Sequence, residues 1–300
     1  MITVIGATGH TGSVVAERLV AAGERVRVIG RSAERLKQFV DRGAEPRVGD
    51  ASDARFLTQA FRGADAVYAM IPPDYAAPYV AHQRAVTDAI VAALTTSGVK
   101  KVVFLSSLGA EQPSGTGPIV GLHVAEEALR EVSGTDLLLL RPGFFFENHL
   151  GTLALIKAQG INGGAVAPDV PLAMIAARDI GAAAAEALRR DGRSGVVVHE
   201  LLGPREYTMT EATRILGAAI GKPDLAYVQF PYDGYAQALR EARFSASSAS
   251  LFVELAQALN ARQVRSLEGR NARNTTATTL EAFARDVFAP AYGGLDTKAG

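Results

Sequence analysis

The opening of the chain constrains the fold more than any other stretch. Met1-Ile2-Thr3-Val4-Ile5 has strand character and runs into Gly6-Ala7-Thr8-Gly9-His10-Thr11-Gly12, after which Ser13 to Leu19 follows with helical spacing. Strand, glycine turn and helix in that order form the first half of a βαβ unit whose turn can approach a phosphate. The first glycine lets the strand turn sharply, the second removes a Cβ from the path of a pyrophosphate, and the third lets the helix pack close to the strand. Backbone N–H groups at the helix start, with its positive dipole end, then hold the diphosphate. Gly6, Thr8, Gly9, His10, Thr11 and Gly12 are the candidate cradle, with His10 facing either the phosphates or only water.

The second strand discriminates between dinucleotides. Glu24 to Ile29 is the next apolar run, and a site for NAD places a carboxylate just after it to hold the ribose hydroxyls. Gly30-Arg31-Ser32 stands there instead. Arg31 offers a forked guanidinium to a 2′-phosphate, Ser32 adds a hydrogen bond, and no acid repels the phosphate. The expected cofactor is NADP(H). The competing reading takes Arg31, Arg35 and Lys37 as the solvated start of a helix.

Composition narrows the function classes. The 31 basic and 31 acidic residues cancel, so no global field favours nucleic acid or an anionic membrane. With no cysteine there are neither disulfides nor thiolate metal sites, and five scattered histidines do not make a zinc site. No apolar run approaches the ~20 residues of a membrane span and no secretory leader is evident, so a cytoplasmic location is expected. The last residues, 295–300, lack periodicity and are expected to fray.

Downstream, short apolar runs alternate with helical stretches, which predicts an α/β fold: a doubly wound, mostly parallel Rossmann sheet with a smaller C-terminal α/β substrate lobe. Strands are expected at 46–48, 66–71, 102–105, 137–140 and 196–201. Val86, Ile90 and Leu94 make one core-facing helix stripe, and Val120, Val124 and Ala128 another. Right-handed crossovers place the ligand crevice at the carboxyl ends of the strands. The expected dinucleotide domain is 1–142 plus 176–202, and the lobe 143–175 plus 203–294. Capping boxes in the lobe pair Thr208 with Glu211 and Thr278 with Glu281.

The glycine turn, Val26 to Arg31, Gly49-Asp50, Ser106-Ser107, Leu140-Arg141-Pro142-Gly143-Phe144, Asn148, Arg178-Asp179-Ile180 and Leu202-Gly203-Pro204 recur in one order. The set resembles the NmrA-like branch of the atypical short-chain dehydrogenase/reductases. The resemblance implies NADPH-dependent quinone or dye reduction, or alternatively an NADP(H)-sensing regulator that acts through a protein partner. It also implies that Asp50, with Ala51 beside it, meets the adenine amino group. Ordinary members carry Tyr-x-x-x-Lys at the start of the helix after the fifth strand. Here His123 and Glu127 occupy those places, which puts alcohol dehydrogenation and sugar epimerisation in doubt.

Residues four apart lie on one helix face, so Glu127 can pair with His123 and favour its imidazolium as a proton donor; both can equally be solvated, with a glutamate pairing to Arg130. Hydride transfer to a conjugated acceptor needs positioning more than a protein acid. Phe144, Phe145 and Phe146 offer an aromatic wall, two of them with lobe core as the alternative, and Asn148 follows. Ile71-Pro72-Pro73 fixes a wall for the ribose and pyrophosphate, and Tyr75 lines the substrate mouth or lies on the surface. Ser106, Pro142 and Gly143 end their strands towards the cofactor. The expected partner is an aromatic or conjugated small molecule, with homodimerisation open.

Overall fold

The computed structural model describes residues 1–190, 192 and 194–295; the expected fraying beyond 295 lies outside them. Its strands in chain order are β1 (Ile2–Val4), β2 (Val26–Gly30), β3 (Glu45–Val48), β4 (Ala66–Ala69), β5 (Lys101–Leu105) and β6 (Asp136–Pro142). Shorter strands follow: β7 (Phe144–Phe145), β8 (Ile161–Gly164), β9 (Leu172–Ile175), β10 (Val196–Leu201), β11 (Glu206–Tyr207) and β12 (Ala226–Gln229). The helices include α1 (His10–Ala21), α2 (Ala33–Val40), α3 (Ala54–Phe61), α4 (Tyr79–Ser97) and α5 (Ile119–Arg130). Then come α6 (Leu153–Gln159), α7 (Ala177–Arg189), α8 (Met209–Ala219), α9 (Tyr232–Glu241) and α10 (Ala246–Asn260).

Seven strands form one parallel sheet in the order β10-β6-β5-β4-β1-β2-β3. The order reverses direction after β1, where successive crossovers change faces, and that reversal opens the crevice above β1 and β4. Both faces are covered, so strand residues alternate between two cores. Val103 and Leu105 pack with α1, α2 and α7, whereas Val102 and Phe104 pack with α3, α4 and α5. That alternation turns the inner strands into the continuous apolar runs seen in the sequence. Contact is close where α7 crosses α1: a Cβ on Gly181 would lie 2.8 Å from the Thr11 carbonyl oxygen.

A third core forms from Phe146, Leu153, Met174, Tyr207, Leu216 and Phe283, among others, drawn from 146–176 and 207–288. Two small sheets accompany it, β11-β9-β7 and β12-β8. Thr208 caps α8 as expected, accepting from the Glu211 N–H at 3.1 Å. The second box is displaced by one residue. Thr279, not Thr278, is the cap, and Thr278 instead donates both its N–H and its hydroxyl proton to Asp179 at the start of α7.

The stripe expected on α4 is buried, but the one expected on α5 is not. Val124 is exposed, and the inward face is Gly121, Ala125, Glu126 and Leu129. The periodicity misleads because a glutamate occupies the core face, so the apolar count favours the neighbouring row.

Candidate functional site

The glycine turn is built as its spacing demands. Gly6 has φ +68°, the left-handed region that side chains avoid, and a Cβ on Gly12 would sit 2.2 Å from the Gly6 carbonyl oxygen. Gly9 donates to that same carbonyl at 2.9 Å, and α1 starts at the next residue with no side-chain cap and no acid in its first turn. The first N–H groups of the helix therefore have neither an intrahelical nor a capping partner, the condition for binding an anion. His10 is exposed at this start. Thr11 is turned away: its hydroxyl accepts from the buried Tyr68 phenol at 2.9 Å, so only its backbone belongs to the cradle.

Arg31 is exposed at the end of β2. Ser32 caps α2, accepting from the Arg35 N–H at 3.3 Å, which leaves its own hydroxyl proton to donate. Arg35, read from the sequence only as part of a solvated helix start, reaches back to the Thr8 carbonyl at 2.9 Å and brings a guanidinium to the glycine turn. Its position in the first turn of α2, four residues after Arg31, was the available signal. Across from them Asp50 accepts from the N–H and O–H of Ser52, both at 2.8 Å. Those two bonds, aided by the nearby charges of Arg31 and His82, hold its carboxyl below the usual range despite some burial. Ala51 and Ile71 are buried, and the Pro72 carbonyl accepts from His82 Nε2 at 2.7 Å.

At the end of β5 the structure departs from the expected cofactor contact. Ser106 is buried, and its hydroxyl donates to Glu126 Oε1 at 2.5 Å. The same carboxylate takes two bonds from Arg141, Nε at 2.9 Å and Nη2 at 2.5 Å, and Arg141 Nη1 donates to Glu111 at 3.2 Å. Ser106 is thus part of a buried ionic hub under the strand ends. Charges buried this way require pairing, because desolvation of an isolated one is prohibitive. Arg141 remains firmly protonated: its burial is outweighed by Glu126, Glu111 and Glu200.

Glu127 does not pair with His123. It is exposed and its carboxylate lies 3.2 Å from Arg130 Nε, while the inward-facing glutamate is its neighbour Glu126. His123 is half-buried, with Nδ1 2.9 Å from the Ala110 carbonyl oxygen. A carbonyl only accepts, so Nδ1 carries the proton and Nε2 of the neutral ring is left as an acceptor. Among the described residues Nε2 has no hydrogen-bond partner.

The three phenylalanines after β6 separate. Phe146 is fully buried against Tyr207 and Phe283 in the third core, so it is not a substrate contact. Phe144 and Phe145 are half-buried, Phe144 lying edge-on to the His149 ring at a centroid distance of 5.9 Å. Gly143 is needed for packing, since a Cβ there would lie 2.0 Å from the Ala173 carbonyl oxygen, and Pro142 is buried beside it. Asn148 is exposed. Glu147 accepts from the Ala177 N–H at 2.9 Å, and burial raises its carboxyl above the usual range.

Tyr75 stands beyond β4 in an aromatic group that the sequence did not reveal. It stacks on Phe244 at 4.6 Å, on Tyr79 at 5.5 Å, and meets Phe252 edge-on. The start of α10 is tied to the same loop, with the Ser245 N–H donating to the Tyr75 carbonyl at 2.8 Å and the Ser245 hydroxyl to Ala77 at 2.9 Å. No group of three or more metal-ligating side chains occurs among the described residues, nor any helix long and apolar enough to cross a membrane.

Residues 1–284 match the NmrA-like family. The chain belongs to the NmrA-like family. It is 32% identical to the (4-alkanoyl-5-oxo-2,5-dihydrofuran-3-yl)methyl phosphate reductase of Streptomyces griseus, over 95% of this chain and 99% of that protein. It is 30% identical to an NAD(P)H azoreductase of Xenophilus azovorans, over 80% of each. An Escherichia coli NADPH-dependent quinone oxidoreductase, solved with NADPH, shares the fold with a TM-score of 0.76 and 22% identity, over 99% of this chain and all of that one.

Proposed function

We propose that this NmrA-like chain is an NADPH-dependent reductase that delivers hydride directly to a flat, conjugated acceptor of quinone or dye type. The observation that carries the cofactor choice is Arg35 bonded to the glycine turn beside an uncapped helix start, with exposed Arg31 and no carboxylate at the end of β2. Gly9 and Gly12 admit a diphosphate, and Asp50, ionised and with acceptor capacity to spare, suits the adenine amino group. Bound there, NADPH supplies the hydride.

The chain's own residues do the remainder. Phe144 and Phe145 position the acceptor, Tyr75 closes its mouth, and the lobe of 143–175 with 203–294 excludes water. A quinone or an extended conjugated system accepts hydride without a phenol and ammonium pair, since the electron sink lies in the acceptor. Where the product needs a proton, His123 gives it from Nε2 of the imidazolium, Nδ1 staying bound to Ala110. Related names fit this class: the azoreductase and the quinone oxidoreductase act on conjugated acceptors.

The test is loss of nicotinamide absorbance with a panel of quinones and azo dyes. Steady oxidation that is faster with NADPH than with NADH is expected. Tight NADPH binding with no oxidation across the panel overturns the enzyme reading and favours a sensor.

A further inference from the structure

His123 owes its tautomer to a loop, and the loop is held by charge. Between β5 and α5 the chain makes tight turns: Leu108 N–H donates to Pro142 at 3.0 Å, Ala110 N–H to Ser107 at 3.2 Å, and Gln112 N–H to Gly109 at 3.1 Å. Backbone bonds tie residue 108 to the sheet, but beyond it the carbonyl that meets His123 belongs to Ala110, next to Glu111. Beyond Leu108, the half-buried Glu111 reaches Arg141 of the hub at 3.2 Å. Gln112 adds a bond to the Gln263 carbonyl at 2.9 Å on the exposed side.

Resting on the reading of His123 as proton donor, we infer that Glu111 is a positioning residue for it. Held by Arg141, Glu111 keeps the Ala110 carbonyl 2.9 Å from Nδ1 and so reserves Nε2 for the acceptor. A free imidazole exchanges its proton between both nitrogens, and a fixed carbonyl removes that freedom. Arg141 retains its two bonds to Glu126 without Glu111, so removal of this carboxylate leaves no unpaired buried cation.

The test uses nitrogen-15 NMR of the histidine rings in the full chain, with the His123 signals assigned from His123→Gln. Wild type is expected to show Nδ1 alone carrying the proton at high pH. Glu111→Ala should show a mixture of tautomers, and Glu111→Gln, whose amide oxygen still accepts from Arg141, should restore the wild-type pattern. In turnover, Glu111→Ala should lower kcat roughly tenfold, part of the 10²–10⁴ that a positioned proton donor contributes, with KM for NADPH unchanged. It should cause no further loss when added to His123→Ala. A wild-type tautomer pattern in Glu111→Ala overturns the positioning role. Wild-type turnover in His123→Ala overturns the donor role instead, and the NMR comparison still decides the positioning.

Discussion

His149 sits on the short 3₁₀ helix after β7 with its ring buried and Nε2 without a partner. Burial alone drives its pKa from the ordinary 6.5 down to about 4. Between those values the unfolded chain binds a proton that the folded chain refuses. Stability therefore falls as the pH drops below about 6.5 and stops falling from this cause below about 4. Each pH unit of separation is worth about 1.4 kcal/mol, so the loss at pH 5 is about 2 kcal/mol and at full development about 3 kcal/mol. His149→Leu keeps nearly the same volume against Phe144 and removes both the titration and the orphaned nitrogen. Urea unfolding of both proteins from about pH 7.5 to 5 measures the difference, and His199, also depressed by burial, is common to both and cancels. The variant should gain about 2 kcal/mol relative to wild type across that range. Parallel stability curves would refute the argument and place a proton, a water or a bonding partner on His149.

Arg31→Ala should weaken NADPH binding by roughly 1.5–3 kcal/mol, the scale of a charged hydrogen bond, while leaving NADH unaffected; equal losses in a fluorescence titration would remove Arg31 from the phosphate. Gly12→Ala places a Cβ 2.2 Å from the Gly6 carbonyl oxygen, so calorimetry should detect no NADPH binding even if the variant folds. Phe146→Ala should cost about 3–5 kcal/mol of stability without raising the acceptor KM in protein assayed well below its Tm, and Phe144→Ala should do the reverse. Glu126→Ala leaves the buried Arg141 with only its longer bond to Glu111 and should cost about 3 kcal/mol, read from denaturant midpoints.

Much of the fold was legible because backbone periodicity is a local property. Alternating strands and helices, the glycine turn and the order of strand ends each follow from a few adjacent residues. Misreadings arose where a side chain's partner is distant in sequence. Val124 looked like a core residue from the sequence, whereas the buried one is Glu126, whose burial Arg141 from β6 makes tolerable by supplying the opposite charge. Ser106 looked like a cofactor contact for the same reason. Thr278, three residues before Glu281, fits a capping box and Thr279 does not, yet Asp179, 99 positions away, takes Thr278 and the cap falls to Thr279.

Taken alone, the order of residues determined the parallel sheet and the glycine turn before α1, since glycine conformation and apolar periodicity act over one or two turns of chain. Only tertiary packing decided which of three consecutive phenylalanines enters a core, which of two adjacent glutamates is buried, and which nitrogen of His123 carries the proton. Each of those choices depends on one partner brought from elsewhere in the chain: Tyr207, Arg141 and the Ala110 carbonyl. No local propensity encodes a partner's arrival, because burial and pairing are properties of the assembled surface.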